Sequence, residues 1–236
     1  TVTEMVRYGH QTQTITPNDP NPVTPGKPIN PKGDVNYPDG VSKDDLTSTV
    51  KRTIKYVDED GKAVDGSPDG TSRYEQTAEF TRTAIVDKVT GKILGYDTDG
   101  DGEVDTTKAD QAWTPTKKTL LEAQSKDPKL LGYDEVDTPV VPDLVVTPGQ
   151  GDTTVTVTYN NITYTLKDEE TKTVTRTINY VDSVTGKAIP SELEPSVTQT
   201  ATLTRSVIYD SKGNKIGYGT VSADGKSYTL NDSYKV

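Results

Sequence analysis

The sequence predicts a mainly β fold of the α+β class, in which two elongated modules follow one another along the chain. The same pair of sequence segments occurs twice, and within each segment apolar and polar residues alternate with the period of a β-strand. Only 30% of the residues are hydrophobic, which argues against one large core and favours thin modules.

The duplication is visible in two matched segments. Residues 50–58 (VKRTIKYVD) return as residues 174–182 (VTRTINYVD), and residues 76–82 (QTAEFTR) return as residues 199–205 (QTATLTR), at offsets of 124 and 123 residues. The order is the same in both copies, so one structural unit has been repeated. Repetition indicates reach or multivalency before catalysis.

The strand predictions rest on the alternation within these segments. Val50, Arg52, Ile54 and Tyr56 share one face of a first strand, and an acidic turn ending at Gly61 follows it. In the next strand the apolar face carries the following residues in the two copies: Ala78, Phe80, Arg82, Ala84 and Val86; Ala201, Leu203, Arg205, Val207 and Tyr209.

Each module therefore carries one arginine on each of two apolar-faced strands. These are Arg52 and Arg82 in the first module, and Arg176 and Arg205 in the second. We expect their aliphatic stems to cover the sheet and their guanidinium groups to reach carboxylates at its edge. A role in ligand binding is the alternative.

The rest of the first module is predicted from two further segments. Residues 114–124 are the best helix candidate, because Thr114-Pro115 is a start signal and Leu120, Leu121 and Ala123 follow. Residues 154–159 (TVTVTY) alternate again and are predicted to form the closing strand of the module.

Four segments are expected along the chain. Residues 4–9 resemble residues 155–160, so residues 1–11 are interpreted as the closing strand of a preceding module. Residues 12–47 are a proline-rich linker and junction, whose residues 16–40 carry seven prolines and predict a semi-rigid spacer. Residues 48–160 form the first subdomain and residues 161–236 a second one that is shortened at its C-terminus.

A sheet without its closing strand would expose unpaired backbone groups. We therefore expect residues 2–8 to dock on the second subdomain, within one chain or from a neighbouring molecule. The alternative is that these residues form a loose tail.

Composition and charge exclude several function classes. The net charge is −10, and no basic cluster offsets the repulsion from phosphates, so nucleic acid is not expected as a partner. No apolar run reaches the roughly 18 to 20 residues that cross a bilayer, so no membrane insertion is expected. Cysteine is absent, which removes a disulfide framework. With a single histidine, His10, no Ser-His-Asp, Cys-His or zinc arrangement can be assembled, and we expect no enzyme.

The combined motifs resemble the Mub repeats of mucus-binding surface proteins from lactobacilli. The resemblance rests on three motifs that occur in the same order in both copies: VxRTIxYVD, then GKA followed by Val64 or Ile189, then QTAx(F/L)TR. It covers most of residues 41–236. It implies two ubiquitin-like β-grasp subdomains in line, on a cell-wall-anchored extracellular adhesin of a Gram-positive bacterium. It also implies mucin glycoproteins as partners, immunoglobulins as further partners of some repeats, and neighbouring repeats in the full-length protein.

Residues 97–105 (DTDGDGEVD) predict a calcium site. Acidic side chains at positions 1, 3, 5 and 9, with glycine at position 6 and an apolar residue at position 8, reproduce most of an EF-hand loop. The candidate ligands are Asp97, Asp99, Asp101, Glu103 and Asp105. Position 12 is Lys108 instead of a bidentate glutamate, and the second copy lacks the motif. Calcium is therefore a candidate ligand and no cofactor is required, the alternative being a solvated acidic hairpin tip.

A shallow carbohydrate site needs aromatic platforms and planar polar groups. The candidate binding residues are the following: Trp113, Tyr74, Tyr96 and Tyr133 in the first subdomain, and Tyr209, Tyr218 and Tyr228 in the second. For each of them the alternative is structural packing.

The sequence thus favours an adhesin module that binds mucin glycans through many weak contacts along an array. The competing interpretation is a passive stalk that holds a distal binding domain away from the cell wall, because proline spacing, acidity and sparse apolar content serve that role equally well.

Overall fold

The computed structural model describes residues 1–17 and 23–236, with the side chain of Asp168 also left undescribed. The chain divides into two units, residues Thr1–Asn160 and Asn161–Val236. Both are built from strands, and within the described residues the helical segments are two short 3₁₀ turns, at Ala109–Gln111 and Pro128–Leu131. The mainly β prediction is confirmed.

The first unit is organised in four small sheets. Its strands are β1 (Thr12–Ile15), β2 (Thr47–Asp58), β3 (Arg73–Thr81), β4 (Thr83–Asp87), β5 (Ile93–Asp97), β6 (Lys118–Leu120), β7 (Ala123–Gln124), β8 (Glu135–Val136), β9 (Val140–Val141), β10 (Leu144–Val146) and β11 (Thr153–Asn160). The strand orders are β3-β2-β11-β8, β1-β4-β5, β10-β6 and β7-β9. The pair β2–β11 is parallel, and the pair β2–β3 is antiparallel.

The predicted strands of the first unit form where alternation placed them. In β2 the side chains of Val50, Arg52, Ile54 and Tyr56 are buried, whereas Lys51 and Lys55 on the opposite face are exposed. The predicted closing strand is β11, which runs beside β2. Alternation with one buried face therefore located both strands.

The predicted helix over residues 114–124 is wrong. Lys118–Leu120 forms β6, which pairs with β10, and Ala123–Gln124 forms β7, which pairs with β9. The buried side chains are Leu120 and Ala123, while Leu121 is 67% exposed. Pairing with distant strands thus overrides the local helix signal.

The proline-rich linker prediction is also wrong for the described part of residues 12–47. Ile15 in β1, Val41 and Leu46 are buried in one cluster with Ala84, Val86, Tyr96 and Ala112. Turn hydrogen bonds, such as that from the Gly26 N–H to the Tyr37 carbonyl, fold the segment back on itself. The apolar residues between the prolines therefore anchor this segment to the first unit. Residues 18–22, with Pro20 and Pro22, lie outside the described residues.

The second unit is a single antiparallel sheet. Its strands are β12 (Tyr164–Ile178), β13 (Val197–Asp210), β14 (Lys215–Val221) and β15 (Tyr228–Leu230), in this order across the sheet. The strand register shows how the two units correspond. In the second unit β13 pairs with residues 164–167 of β12 in the register in which β4 pairs with β1 in the first unit. It pairs with residues 171–178 of β12 in the register in which β3 pairs with β2. β12 thus corresponds to β1 and β2 joined, and residues 16–46 are an insertion at this point of the first unit.

The N-terminal residues do not dock within the chain. No strand is formed before Thr12, and Val2 and Tyr8 are 92% and 91% exposed. The described hydrogen bonds of this segment lie next to β1, where His10 Nδ1 is 2.7 Å from an Asp87 carboxylate oxygen and the Gln11 carbonyl accepts from the Lys88 N–H at 2.9 Å. Docking of residues 2–8 within one chain is wrong, and docking from a neighbouring molecule stays a prediction.

Candidate functional site

An arginine held between two aromatic rings lies at the end of β3 in the first unit. The Arg82 guanidinium carbon is 4.2 Å from the centre of the Trp113 ring and 5.5 Å from that of Tyr96. Its Nε and Nη1 donate to the backbone carbonyls of Asp45 and Ala109, at 2.9 and 2.8 Å. We call Arg82, Tyr96 and Trp113 the first cage. Cation–π attraction and two charge-assisted hydrogen bonds stabilise it.

The second unit repeats this arrangement. The Arg205 guanidinium carbon is 3.7 Å from the centre of the Tyr218 ring and 4.5 Å from that of Tyr234. We call these three residues the second cage. Here the counter-group is a carboxylate: Arg205 Nη2 donates to Glu170 at 2.8 Å, and the Tyr218 hydroxyl donates to the other oxygen at 2.7 Å. The Tyr218 hydrogen bond, followed by that of Arg205, lowers the pKa of Glu170.

Backbone pairing places the two cages in equivalent positions. Thr81, which precedes Arg82, bridges to Thr114, which follows Trp113. In the second unit Thr204 bridges to Lys235 in the same way, next to Arg205 and Tyr234. Each cage therefore joins the strand segment that precedes its arginine to the segment that carries Trp113 in the first unit or Tyr234 in the second.

A groove lies beside each cage. The first has a volume of about 200 Å³ and the second about 290 Å³. The first is lined by Asp110, Gln111, Trp113, Thr116, Thr147 and Pro148. The second is lined by Leu166, Thr204, Arg205, Ser206, Gly219, Thr220, Thr229, Asn231, Ser233 and Lys235. Hydroxyl, amide and cationic groups line much of the second groove, so it offers many hydrogen-bond partners beside an apolar area of similar size.

Arg52 has a different environment from the caged arginines. It is only 3% exposed, and its guanidinium donates to Gln76 Oε1, the Pro142 carbonyl and the Leu121 carbonyl, at 2.8, 2.6 and 3.0 Å. Burial lowers the pKa of Arg52. The expectation that arginines reach carboxylates is therefore confirmed for Arg205 and wrong for Arg52 and Arg82, whose partners include backbone carbonyls.

The acidic loop after β5 gathers four carboxylates. Oxygen atoms of Asp97, Asp99, Asp101 and Asp105 lie within 4.8 Å of one another, whereas Glu103 is outside this group. Asp97 is the buried member. Its carboxylate accepts hydrogen bonds from the N–H groups of Asp99, Gly100 and Gly102.

The loop carboxylates show the two opposing influences expected of crowded acids. Burial acts to raise the pKa of Asp97, but the N–H groups of Gly102 and Gly100 outweigh it and the pKa is lowered. For Asp99 the N–H of Asp101 acts to lower the pKa, but burial and the charges of Asp101 and Asp105 outweigh it and the pKa is raised. A cation would relieve this repulsion, and calcium binding stays a prediction.

Comparison with sequence families decides where this chain belongs. A model described as the Muc B2-like domain matches residues 41–163 and again residues 165–236. The chain belongs to the Muc B2-like family. The first match covers most of the first unit and ends three residues beyond it, and the second match lies in the second unit.

Three solved structures are similar to this Muc B2-like chain. A crystal structure titled Mub-RV has 22% identity and a TM-score of 0.42, covering 64% of this chain and 60% of its own. The mucin-binding domain of Spr1345 from Streptococcus pneumoniae has 24% identity and a TM-score of 0.34, covering 49% and 91%. A type 2 repeat of the mucus binding protein MUB from Lactobacillus reuteri has 19% identity and a TM-score of 0.37, covering 64% and 59%.

Two further findings bound the comparison. The Muc B2-like chain spans 60% of the length of the Mub-RV chain, and a search of curated proteins found no match. Within residues 1–17 and 23–236 no helix has the length and apolar character needed to cross a membrane.

The predicted aromatic residues do not share one surface in the Muc B2-like units. Tyr96 and Trp113 meet around Arg82, and Tyr218 stacks on Arg205. Tyr74 and Tyr133 instead pack against the cluster around Ile54 and Tyr56.

The remaining two candidates lie on the sheet of the second Muc B2-like unit. Tyr209 is half-buried in β13. Tyr228 is 39% exposed in β15 and packs edge-on against Tyr164, with ring centres 4.7 Å apart. Their roles in binding stay predictions.

Sequence reasoning missed two residues of these sites, Tyr234 as a ring of the second cage and Glu170 as its counter-group. It gave ligand binding by Arg82 and Arg205 only as the alternative to a packing role. The available signal was spacing: Arg82 precedes Trp113 by 31 residues, and Arg205 precedes Tyr234 by 29. Aligning the two copies beyond their matched segments would have paired these aromatic residues.

Proposed function

We propose that this chain is a repeat module of a bacterial surface adhesin that binds mucin glycoproteins and catalyses no reaction. The observation that carries the proposal is a tandem pair of Muc B2-like matches whose units each place a groove of mixed polar and apolar lining beside an arginine–aromatic cage. Family membership supplies the ligand class, and the grooves supply a surface on which the ligand can lie.

The chemistry of the grooves suits sugars. Hydroxyl side chains of Thr204, Ser206 and Ser233, the Asn231 amide and the Lys235 amine surround the second groove. Such groups exchange hydrogen bonds with sugar hydroxyls, and Trp113 in the first groove adds an aromatic surface. Volumes of about 200 and 290 Å³ lie below the range of about 300 to 1,000 Å³ typical of drug-sized ligands. Each groove therefore holds a small part of a glycan and binds it weakly.

Weak binding at each groove becomes useful in an array. If one glycoprotein engages several modules, the second contact is intramolecular and the overall affinity rises by about 10² to 10⁴. We therefore propose that neighbouring repeats, displayed on an extracellular, cell-wall-anchored protein, form the functional unit. Immunoglobulins are proposed as further partners through the resemblance to Mub repeats.

Binding of the whole chain to immobilised mucin tests this proposal. The chain should bind more strongly than an unrelated acidic β-protein, and Trp113→Ala together with Asn231→Ala should reduce binding at least tenfold. Because Trp113→Ala also removes a cage ring, Gln111→Ala is the companion variant, since it changes the first groove and leaves the cage intact. The matched control is Thr198→Ala on exposed β13, which should bind like the parent. Normal binding by every groove variant would reject the grooves as the site.

A passive stalk is the competing function, and one observation favours it. The side chains of Tyr74, Tyr96 and Tyr133 pack against core clusters, where they support the sheets without offering an open platform. Absence of binding to both purified mucin and immunoglobulin, by a folded chain, would support the stalk.

A further inference from the structure

The second unit carries the core-facing pattern of the first on a face that is open. Val174, Arg176, Ile178 and Tyr180 of the second unit correspond to Val50, Arg52, Ile54 and Tyr56 and are identical to them in type.

The neighbouring strand matches as well. In the register of the sheets, Arg52 lies opposite Gln76 and Arg176 lies opposite Gln199. Val50 lies opposite Ala78 in the first unit, as Val174 lies opposite Ala201 in the second. The two strand pairs are thus built alike, residue by residue.

In the first unit this face is covered by residues 116–160. Leu120 of β6 and Val146 of β10 pack with Val50, Ala78 and Phe80. Ala123 of β7, Val141 of β9, and Val157 and Tyr159 of β11 pack with Ile54 and Tyr56.

The same covering segment completes the hydrogen bonding of the first unit. Strand β11 pairs parallel to β2, with Val155 opposite Ile54 and Val157 opposite Tyr56. The carbonyls of Leu121 and Pro142 accept hydrogen bonds from the guanidinium group of Arg52. Residues 116–160 thus supply the apolar cover of this face and two of the three hydrogen-bond partners of Arg52, the third being Gln76.

In the second unit the corresponding face is exposed. Val174 is 46% exposed, against 1% for Val50, and Arg176 is exposed where Arg52 is buried. Across the described residues, β12 pairs with β13 on one side and is the edge of the sheet on the other. An apolar-faced edge strand of this length readily takes up another strand.

We propose that this face is a docking surface for a polypeptide segment with the chemistry of residues 116–160. The occupant adds a strand parallel to the part of β12 at residues 171–178, with alternating valine and threonine. A preceding loop turns two backbone carbonyls towards Arg176, which Gln199 already flanks. The first unit identifies this occupant, because the same side chains in the same register are covered there by such a segment.

The proposal can be tested on the full chain by appending a second copy of residues 116–160 after Val236. Lys235 is the counterpart of Thr114, because each bridges to the threonine before the cage arginine. Val236 therefore corresponds to residue 115, and a copy that starts with residue 116 continues the second unit in the same register. Amide hydrogen exchange at residues 171–178 should slow by about tenfold or more relative to the parent chain. Exchange in β2 of the first unit reports whether the rest of the molecule has folded normally.

The matched control carries the same appended copy with the residues equivalent to Val155, Val157 and Tyr159 changed to serine, which removes its apolar face. It should leave exchange at residues 171–178 at the parent rate. Arg176→Ala in the first fusion should reverse part of the added protection. Unchanged exchange in a fusion whose β2 is protected would overturn the proposal, and so would equal protection by both fusions.

A third measurement separates the occupants. In the parent chain, protection of residues 171–178 that rises with protein concentration would mean that a second copy of the chain covers the face, which would also overturn the proposal. Protection that is independent of concentration and appears only with the intact appended segment supports it.

Discussion

Of the two matched pairs of arginines in the two units, one pair has similar surroundings and the other does not. The difference shows which surroundings depend on local structure and which depend on residues distant in the chain. Arg82 and Arg205 have the same environment, between two aromatic rings and beside a backbone bridge. Arg52 and Arg176 lie in matching sequence, yet the first is buried and the second is exposed. The cage is complete within the part that both units share, whereas burial of Arg52 depends on residues 116–160.

The largest expected effect is the loss of Arg52. Arg52→Ala removes three charge-assisted hydrogen bonds and leaves Gln76 Oε1 and the Pro142 carbonyl without the donor that Arg52 supplies, while the Leu121 carbonyl keeps a hydrogen bond from Gln76 Nε2. We expect the free energy of unfolding of the first unit to fall by about 3 kcal/mol. Trp113 is the only tryptophan and lies in the first unit, so denaturant unfolding followed by its fluorescence reports on this unit alone.

Arg176→Ala is the matched control for that measurement. Because the side chain is exposed, we expect a change of at most about 0.5 kcal/mol, followed by circular dichroism of the whole chain. Equal losses in the two variants would show that β12 is covered in solution and would remove the contrast between the units.

Loss of either cage arginine should instead lower the free energy of unfolding of its unit by a similar amount. Arg82→Ala and Arg205→Ala each remove cation–π contacts with two rings and hydrogen bonds to oxygen atoms, so we expect about 1 to 2 kcal/mol in each unit. Glu170→Gln keeps the side-chain volume and removes the counter-charge of the second cage only. If Arg205→Ala proves neutral while Arg82→Ala does not, the two cages are not energetically equivalent.

Calcium should act on the first unit alone, because the second copy of the sequence lacks the acidic motif of residues 97–105 and the described residues of the second unit hold no such cluster. With 10 mM calcium, a site with a dissociation constant of about 1 mM raises the melting temperature of the first unit by about 3 °C. Asp99→Asn should abolish this rise, and Asp224→Asn at the corresponding tip in the second unit should leave it intact. A calorimetric titration without heat, and a melting temperature that calcium does not change, would contradict the prediction.

The smallest effect concerns pH and another matched pair, Asp87 and Asp210. The hydrogen bond from His10 lowers the pKa of Asp87 to about 2, while the N–H of Asn214 leads the lowering of the pKa of Asp210. Because the folded-state pKa of Asp87 is below its usual value of 3.8, its stabilising contribution is present above about pH 4 and is lost as pH falls towards 2.

Carboxyl NMR titration measures both groups of this pair. His10→Ala should move the pKa of Asp87 towards its usual value and leave that of Asp210 where it was. An unchanged titration of Asp87 in the variant would show that backbone groups, which donate to Asp87 from Val89 and Thr90, hold the pKa by themselves.

The strands were predictable and the environment of their faces was not. Alternation located β2 and β11 because a half-buried strand has a period of two residues. It could not show that Val50 is covered and Val174 open, because the cover of Val50 is supplied by residues about 70 and 96 positions away in the chain. The helix prediction for residues 114–124 failed for the same reason, because strands β6 and β7 in this segment pair with β10 and β9, which lie later in the chain.

The site was predictable only in part. The aromatic candidates Tyr96, Trp113 and Tyr218 do lie at the two cages, but their stacking on Arg82 and Arg205 was not predicted, and only Arg205 reaches a carboxylate as expected. Stacking of a guanidinium on a ring depends on the approach of separate segments, such as Thr81 to Thr114. The repeat alignment carried this information in the spacing from Arg82 to Trp113 and from Arg205 to Tyr234.

The insertion at residues 16–46 marks a point where the fold accepts additional chain. β1 and β2 flank it, while in the second unit β12 passes the same point with only a bulge between Lys167 and Glu169. Since the entropy of closing a loop grows only slowly with its length, excursions of very different size can be exchanged here without altering the flanking pairing. Protein engineers could use this position to graft an epitope or a tag, and natural relatives could diversify there while keeping their sheets.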